Sequence, residues 1–141
     1  GKLPAFSFNV VGCSFDDPRP VHFWGEISDE KQLNKIYAES DFLLVTSSRE
    51  GFPMVIMEAM MAGLIVISTP VGDIPNHLDG KNGFITSSAE KEIVVREMTD
   101  LLAVLKNNPE RMMRIKAAAR KYAVENFSEE KFTENYRKLL L

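Results

Sequence analysis

The chain has 141 residues, 45% apolar and 26% charged, with a formal net charge of −3. Such a chain is expected to form one domain with a buried core, and its mild acidity argues against nucleic acid or an anionic membrane as a partner. A lone cysteine, Cys13, excludes an internal disulfide, suits a reducing cytosol and reads as structural or incidental, while no apolar run approaches the ~18 residues of a membrane span and no signal peptide is visible.

Residues 6–12, FSFNVVG, read as a buried strand ending in Gly12, and residues 21–25, VHFWG, as a second strand ending in Gly25. Glycine at a strand end lets a ligand approach the backbone, and a tight turn accounts for it equally well. The two strands are separated by about eight residues, fewer than the dozen or so a parallel crossover normally takes. Either the connection is stretched across the sheet or the strands are not parallel neighbours. Ser28 or Asp29 can cap a helix over 30–39, with Leu33, Ile36 and Tyr37 as its apolar stripe. A strand over 42–45 follows, then the stretch 47–63, then a strand over 64–67. Residues 70–83 are rich in turn formers, with a short helix around 74–78 and a last short strand over 83–86. His77 lies there without an evident partner and reads as a surface loop residue; His22, between apolar neighbours, reads as structural.

Helices over 89–107, 109–126 and 128–140 close the chain, with Pro109 at a first helical position and Ser128 as a cap. Arg111, Arg114, Lys116, Arg120 and Lys121 interleave with Met112, Met113, Ile115 and alanines, the pattern of a solvated helix face. Alternating strands and helices define an α/β fold: a Rossmann-like, mostly parallel sheet flanked by helices, with ligands expected at its carboxyl edge.

The stretch 47–63, SSREGFPMVIMEAMMAG, organises the rest. Gly51 is expected to take a backbone conformation closed to other residues, Pro53 to open a helix and Gly63 to end it. Val55, Ile56, Ala59 and Met60 mark the face that packs on the sheet, with the methionines as core filler. The start of that helix offers unpaired N–H groups and a positive dipole end to an anion such as a phosphate. Glu50 precedes it and Glu58 lies within it, about 7–8 Å along the axis from Pro53. Carboxylates accept hydroxyls better than they bind phosphate, and a phosphate between two hydroxyl-bearing groups describes a nucleotide sugar. Each glutamate also has a plainer account, as a charge complementing a dipole or a side chain facing water.

The same stretch resembles the Glu-x7-Glu signature of retaining GT-B glycosyltransferases of group 1, the glycogen-synthase-like family. Ser47, Glu50, Gly51, Phe52, Glu58, Ala59 and Gly63 fall on its pattern, and downstream so do Thr69, Gly72, Pro75, Asp79, Gly80 and Gly83. Asp73 stands where that pattern commonly has a second Gly, and Asn76 where it often has Glu.

The resemblance implies the second, nucleotide-sugar-binding domain of a two-domain enzyme, with its first strand missing. It implies that Glu50 touches the donor sugar as the catalytic carboxylate and that Glu58 accepts hydrogen bonds from the ribose. Backbone N–H groups of Gly51, Phe52, Met54 and Val55 would hold the sugar and diphosphate. Gly25, Glu26 and Ile27 would border the base, and Gly12 would line the floor near the phosphates. It implies transfer of a hexose from a UDP-, GDP- or ADP-sugar, with retention, to a glycan or lipid-linked acceptor bound by an amino-terminal domain. It implies no cofactor and no metal, and a cytoplasmic location that leaves room for peripheral membrane contact. Arg49 and Arg19 do not match the cations that face the diphosphate in that family. The 141 residues alone are expected to be inactive, and the strand over 6–11 is expected to pair with that over 42–45 or to recruit a neighbouring chain. The competing reading is a non-catalytic binding or scaffold module of the same architecture; a sugar-nucleotide epimerase is a third.

Overall fold

In the computed structural model, which describes residues 6–12 and 21–140, parallel strands and helices alternate along two units, Gly1–Ser40 and Asp41–Leu141. Cys13 and Arg19 lie outside the described residues.

The first unit holds β1 (Phe8–Val11), β2 (Val21–Gly25) and α1 (Glu30–Ala38). β1 and β2 are parallel neighbours, with Phe8 beside Val21 and a shift in register between Val10 and Val11. The strand expected to be buried is half-buried: Phe8 and Val10 are partly covered, whereas Asn9 and Val11 are exposed. Alternation of this kind is what a sheet covered on one face produces. Asp29, rather than Ser28, caps α1, accepting from the Lys31 N–H at 3.0 Å. Ile36 and Tyr37 are the buried part of its stripe.

The second unit carries β3 (Phe42–Val45), α2 (Met54–Met61), β4 (Ile65–Ser68), β5 (Gly83–Ile85), α3 (Lys91–Lys106), α4 (Pro109–Phe127) and α5 (Glu129–Leu140). Its sheet is parallel, in the order β3-β4-β5. All four residues of central β4 are buried, as a parallel strand covered on both faces requires. The expected pairing of β1 with β3 does not appear in either sheet of the described residues. Among the described residues β1 pairs with β2 and β3 with β4, each within its own unit and across the shorter stretch of chain.

α2 seats on the sheet through Ile56, Ala59 and Met60, all fully buried. Val55 was expected on that face but lies in the first turn, at the margin of the stripe, and is exposed. The helix ends in a Schellman motif: the Gly63 N–H donates to Met60 O (3.0 Å) and the Leu64 N–H to Ala59 O (2.9 Å), with Gly63 at φ +79°. α3 buries Val94, Met98, Leu102 and Leu105, and α4 packs on α2 and β4 through Ile115, Ala119 and Ala123, whose small size allows close approach. Asn108 caps α4, with Pro109 at its first position as expected, and Ser128 accepts from the Lys131 N–H at 3.3 Å. The basic side chains of α4 lie off its buried stripe; Lys116 pairs with Asp41 and Lys121 with Glu125. Among the described residues no helix is long and apolar enough to cross a membrane.

Candidate functional site

The loop between β3 and α2 lies at the carboxyl edge of the second unit's sheet and is fixed from below by the segment after β4. The Thr69 N–H donates to Val45 O (3.1 Å), and its fully buried hydroxyl donates to Ser47 O (2.6 Å). The Ser47 hydroxyl in turn donates to Glu50 Oε1 at 2.8 Å. A buried threonine thus sets the position of an exposed carboxylate, whose other oxygen this contact leaves unused.

The glycine that this loop needs is Gly72. It has φ +57°, and a Cβ there would fall 2.1 Å from both Glu50 O and Gly51 O, so the 50–51 backbone rests directly on it. The Asp73 N–H adds a bond to Gly51 O at 2.9 Å. Gly51, expected to hold the special conformation, does not have positive φ; instead, the position its Cβ would take is open, with nothing within 4 Å. Its lack of a side chain leaves the loop's outer surface bare.

Pro53 is the N-cap residue (φ −73°, ψ 137°) rather than the first helical residue, and α2 begins at Met54. No side chain caps this helix and its first turn contains no acidic residue. The N–H groups of Met54 and Val55 precede the first intrahelical hydrogen bond, so an uncompensated positive end faces outward. Glu58 is exposed one turn further along. Glu50, Gly51, Phe52, Met54, Val55 and Glu58 are therefore brought to one loop–helix edge. Gly12, Gly25, Glu26 and Ile27 belong to the first unit, at the carboxyl ends of β1 and β2. There the Gly12 N–H donates to Gly25 O at 2.7 Å, and Gly12 and Gly25 have φ of +94° and +66°.

His77 is not the partnerless loop residue expected from the sequence. Its Nε2 lies 2.9 Å from Asp73 Oδ2 and its Nδ1 2.9 Å from the Tyr122 hydroxyl. Its ring is 4.2 Å from that of Phe52 and 5.4 Å from that of Phe127, centroid to centroid. Phe52 and Phe127 are themselves 5.3 Å apart. Asn76, through its amide, and then His77 hold the Asp73 carboxyl below the usual range. Burial, and then the charges of Asp73 and Asp79, push the Tyr122 hydroxyl up. Sequence reading missed Tyr122 and Phe127 because they lie on α4, far along the chain; the only local signal was an Asp and a His four residues apart. Among the described residues no three His, Cys, Asp or Glu side chains converge as a metal site.

Parallel strands with a bare loop and an uncapped helix start at their carboxyl ends place this chain among the α/β domains whose ligands approach that edge. It belongs to the group 1 glycosyl transferases, the family matched over residues 9–104. Its parallel sheets and flanking helices are those of GT-B glycosyltransferases. Among curated relatives, a trehalose synthase of Pyrococcus horikoshii is 32% identical over 99% of this chain and 37% of its own length. A sulfoquinovosyl transferase of Arabidopsis thaliana is 31% identical over 59% of this chain and 17% of its own. Among solved structures, the Anabaena protein HepE in complex with UDP superposes with a TM-score of 0.74 at 26% identity, over 86% of this chain and 32% of HepE. The carboxyl-terminal domain of a Francisella tularensis group 1 glycosyl transferase superposes at 0.66 and 23% identity, over 79% of this chain and 56% of that one, and shows the fold. The chain thus spans well under half the length of these two curated relatives.

Proposed function

We propose that this chain is the nucleotide-sugar-binding, carboxyl-terminal domain of a glycosyltransferase that moves a hexose from a nucleoside-diphosphate sugar to a glycan or lipid-linked acceptor, with retention. The observation that carries the reading is the β3–α2 edge. A serine-held carboxylate, Glu50, stands beside a helix start free of caps and acids, and a second carboxylate, Glu58, follows one turn later. The helix start suits the diphosphate. Glu50 accepts hydroxyls of the sugar and Glu58 those of the ribose, while Gly51 gives the donor access to the backbone. Stabilising the leaving diphosphate by fixed N–H dipoles is electrostatic preorganisation and calls for no metal. In this reading the acceptor is bound by a facing domain. The chain alone is then inactive, and turnover by the purified 141 residues overturns that part.

HepE's complex with UDP makes UDP the first probe. Calorimetric titration with UDP, GDP and ADP and their hexose conjugates tests the reading. One base is expected to bind, and Glu58→Ala to weaken it by about tenfold or more, the loss of charge-assisted hydrogen bonds. Tight binding that Glu58→Ala leaves intact would favour a phosphate-binding module that performs no transfer.

A further inference from the structure

Asp73, His77, Tyr122 and Phe127 are not used by the donor reading, yet they form the wall behind its loop. A neutral imidazole has one donor and one acceptor. The Asp73 carboxylate accepts only, so Nε2–H donates to it, and in the neutral ring Nδ1 then accepts from the Tyr122 O–H. Both ring nitrogens are satisfied and the ring cannot turn without breaking two bonds. Fixed in this way, His77 meets the Glu50–Phe52 loop along two routes. Its ring lies against the Phe52 ring at 4.2 Å, tilted by 39°, and Phe127 sits beside both rings, 5.3 Å from Phe52 and 5.4 Å from His77. Through Asp73, it holds the residue whose N–H binds Gly51 O. Asp73 is tied a second time, by the Asn76 amide at 2.6 Å, and the Asn82 amide holds His77 O at 2.8 Å. Every one of these groups belongs to the second unit, so the brace is complete within it.

We propose that His77, clamped between Tyr122 and Asp73, is a positioning residue that fixes the Glu50–Phe52 loop for the diphosphate and sugar of the donor. Its consequence for binding rests on the donor-site reading above; its effect on the loop does not. Glu58 stands on α2, outside the braced loop. The brace therefore affects the diphosphate and sugar end of the ligand and leaves the ribose end alone. A residue that merely held the domain together would weaken both ends together.

The test uses wild type, Tyr122→Phe and His77→Phe. Tyr122→Phe removes one hydroxyl and keeps the ring among Phe127 and His77. His77→Phe keeps a ring against Phe52 and removes both hydrogen bonds. Two quantities are read: amide exchange of Asp73 in the unliganded chain, and calorimetric affinity for UDP against UMP, with GDP/GMP and ADP/AMP as the other pairs. At about fivefold per net hydrogen bond, Asp73 exchange is expected to quicken about fivefold in Tyr122→Phe and more in His77→Phe. Diphosphate affinity falls in the same order, and monophosphate affinity stays within about twofold. Asp73 exchange unchanged in both variants overturns the proposal, as does an equal loss for diphosphate and monophosphate. If wild type binds no nucleotide at all, the donor reading fails by itself, and the exchange rates still decide whether His77 holds the loop.

Discussion

Two glycines twenty-one positions apart illustrate how differently one residue type can serve a site. Gly72 lies beneath the Glu50–Gly51 backbone, where a methyl group would sit 2.1 Å from two carbonyl oxygens, and no side-chain rotation relieves a clash with main chain. Its φ of +57° adds strain for any L residue. Gly72→Ala is expected to destabilise the fold by about 2–4 kcal/mol, seen as a lower midpoint in urea unfolding. Gly51 has neither constraint. Gly51→Ala is expected to leave the same midpoint within about 0.5 kcal/mol of wild type. Under the donor reading it nevertheless weakens nucleotide-diphosphate binding severalfold, because the methyl occupies the bare surface the ligand approaches. A stable Gly72→Ala, or a Gly51→Ala as damaged as Gly72→Ala, would show that the loop does not rest on the β4 side as described. Ser47→Ala acts on the neighbouring carboxylate: it frees Glu50 Oε1 without touching the core.

At the scale of elements, what the sequence made legible was what depends on near neighbours. The caps at Asp29 and Ser128, the proline opening α4 and the glycine closing α2 are all read within a few positions, and each stands where local chemistry puts it. The alternation of strand and helix likewise announced a parallel sheet. Gly51, Val55 and His77 were misjudged for the opposite reason. Whether a glycine needs positive φ, whether a first-turn valine is covered and whether a histidine is partnered are decided by elements arriving from elsewhere. One of the two partners of His77, Tyr122, stands forty-five residues on, along α4. That contact also has a consequence for pH. Burial raises the Tyr122 hydroxyl above its ordinary value, so the folded chain keeps a proton that the unfolded chain releases near pH 10. The stability linked to it is fully present below the unfolded value and is lost as pH rises through the folded one. Unfolding midpoints followed from pH 8 to 11 are expected to fall more steeply for wild type than for Tyr122→Phe. Parallel slopes would mean that the hydroxyl titrates in the folded chain as it does in the unfolded one. Asp73 works in the other direction: its carboxyl is held below the usual range, so the contribution of its contacts is present above the unfolded value and fades as acid protonates it.

At the scale of the whole chain, the two units differ in what holds them together. Of the described buried apolar residues only Ile36 and Tyr37 belong to the first unit, while the second buries one face of each of α2, α3 and α4 and all of β4 around a shared core. A two-stranded sheet with one short helix removes little apolar surface from water, and such pieces are marginal by themselves. The chain should therefore open in parts, with the amides of β1 and β2 exchanging through a low-energy local opening and those of β4 only through global unfolding. Hydrogen exchange followed by mass spectrometry under native conditions reads this directly. Protection in β4 is expected to exceed that in β1 and β2 by several orders of magnitude, and to track denaturant with the full unfolding slope, while β1 and β2 respond weakly. A chain shortened to Asp41–Leu141 should then keep the β4 protection and its unfolding midpoint nearly unchanged. Uniform protection across all five strands, or collapse of the shortened chain, would show instead that the core of the second unit depends on the first. The distribution bears on the proposed function as well. The edge that carries Glu50, Glu58 and the His77 brace belongs wholly to the better-packed unit. Under the donor reading, nucleotide bound at that edge is expected to raise the protection of the β3–α2 loop.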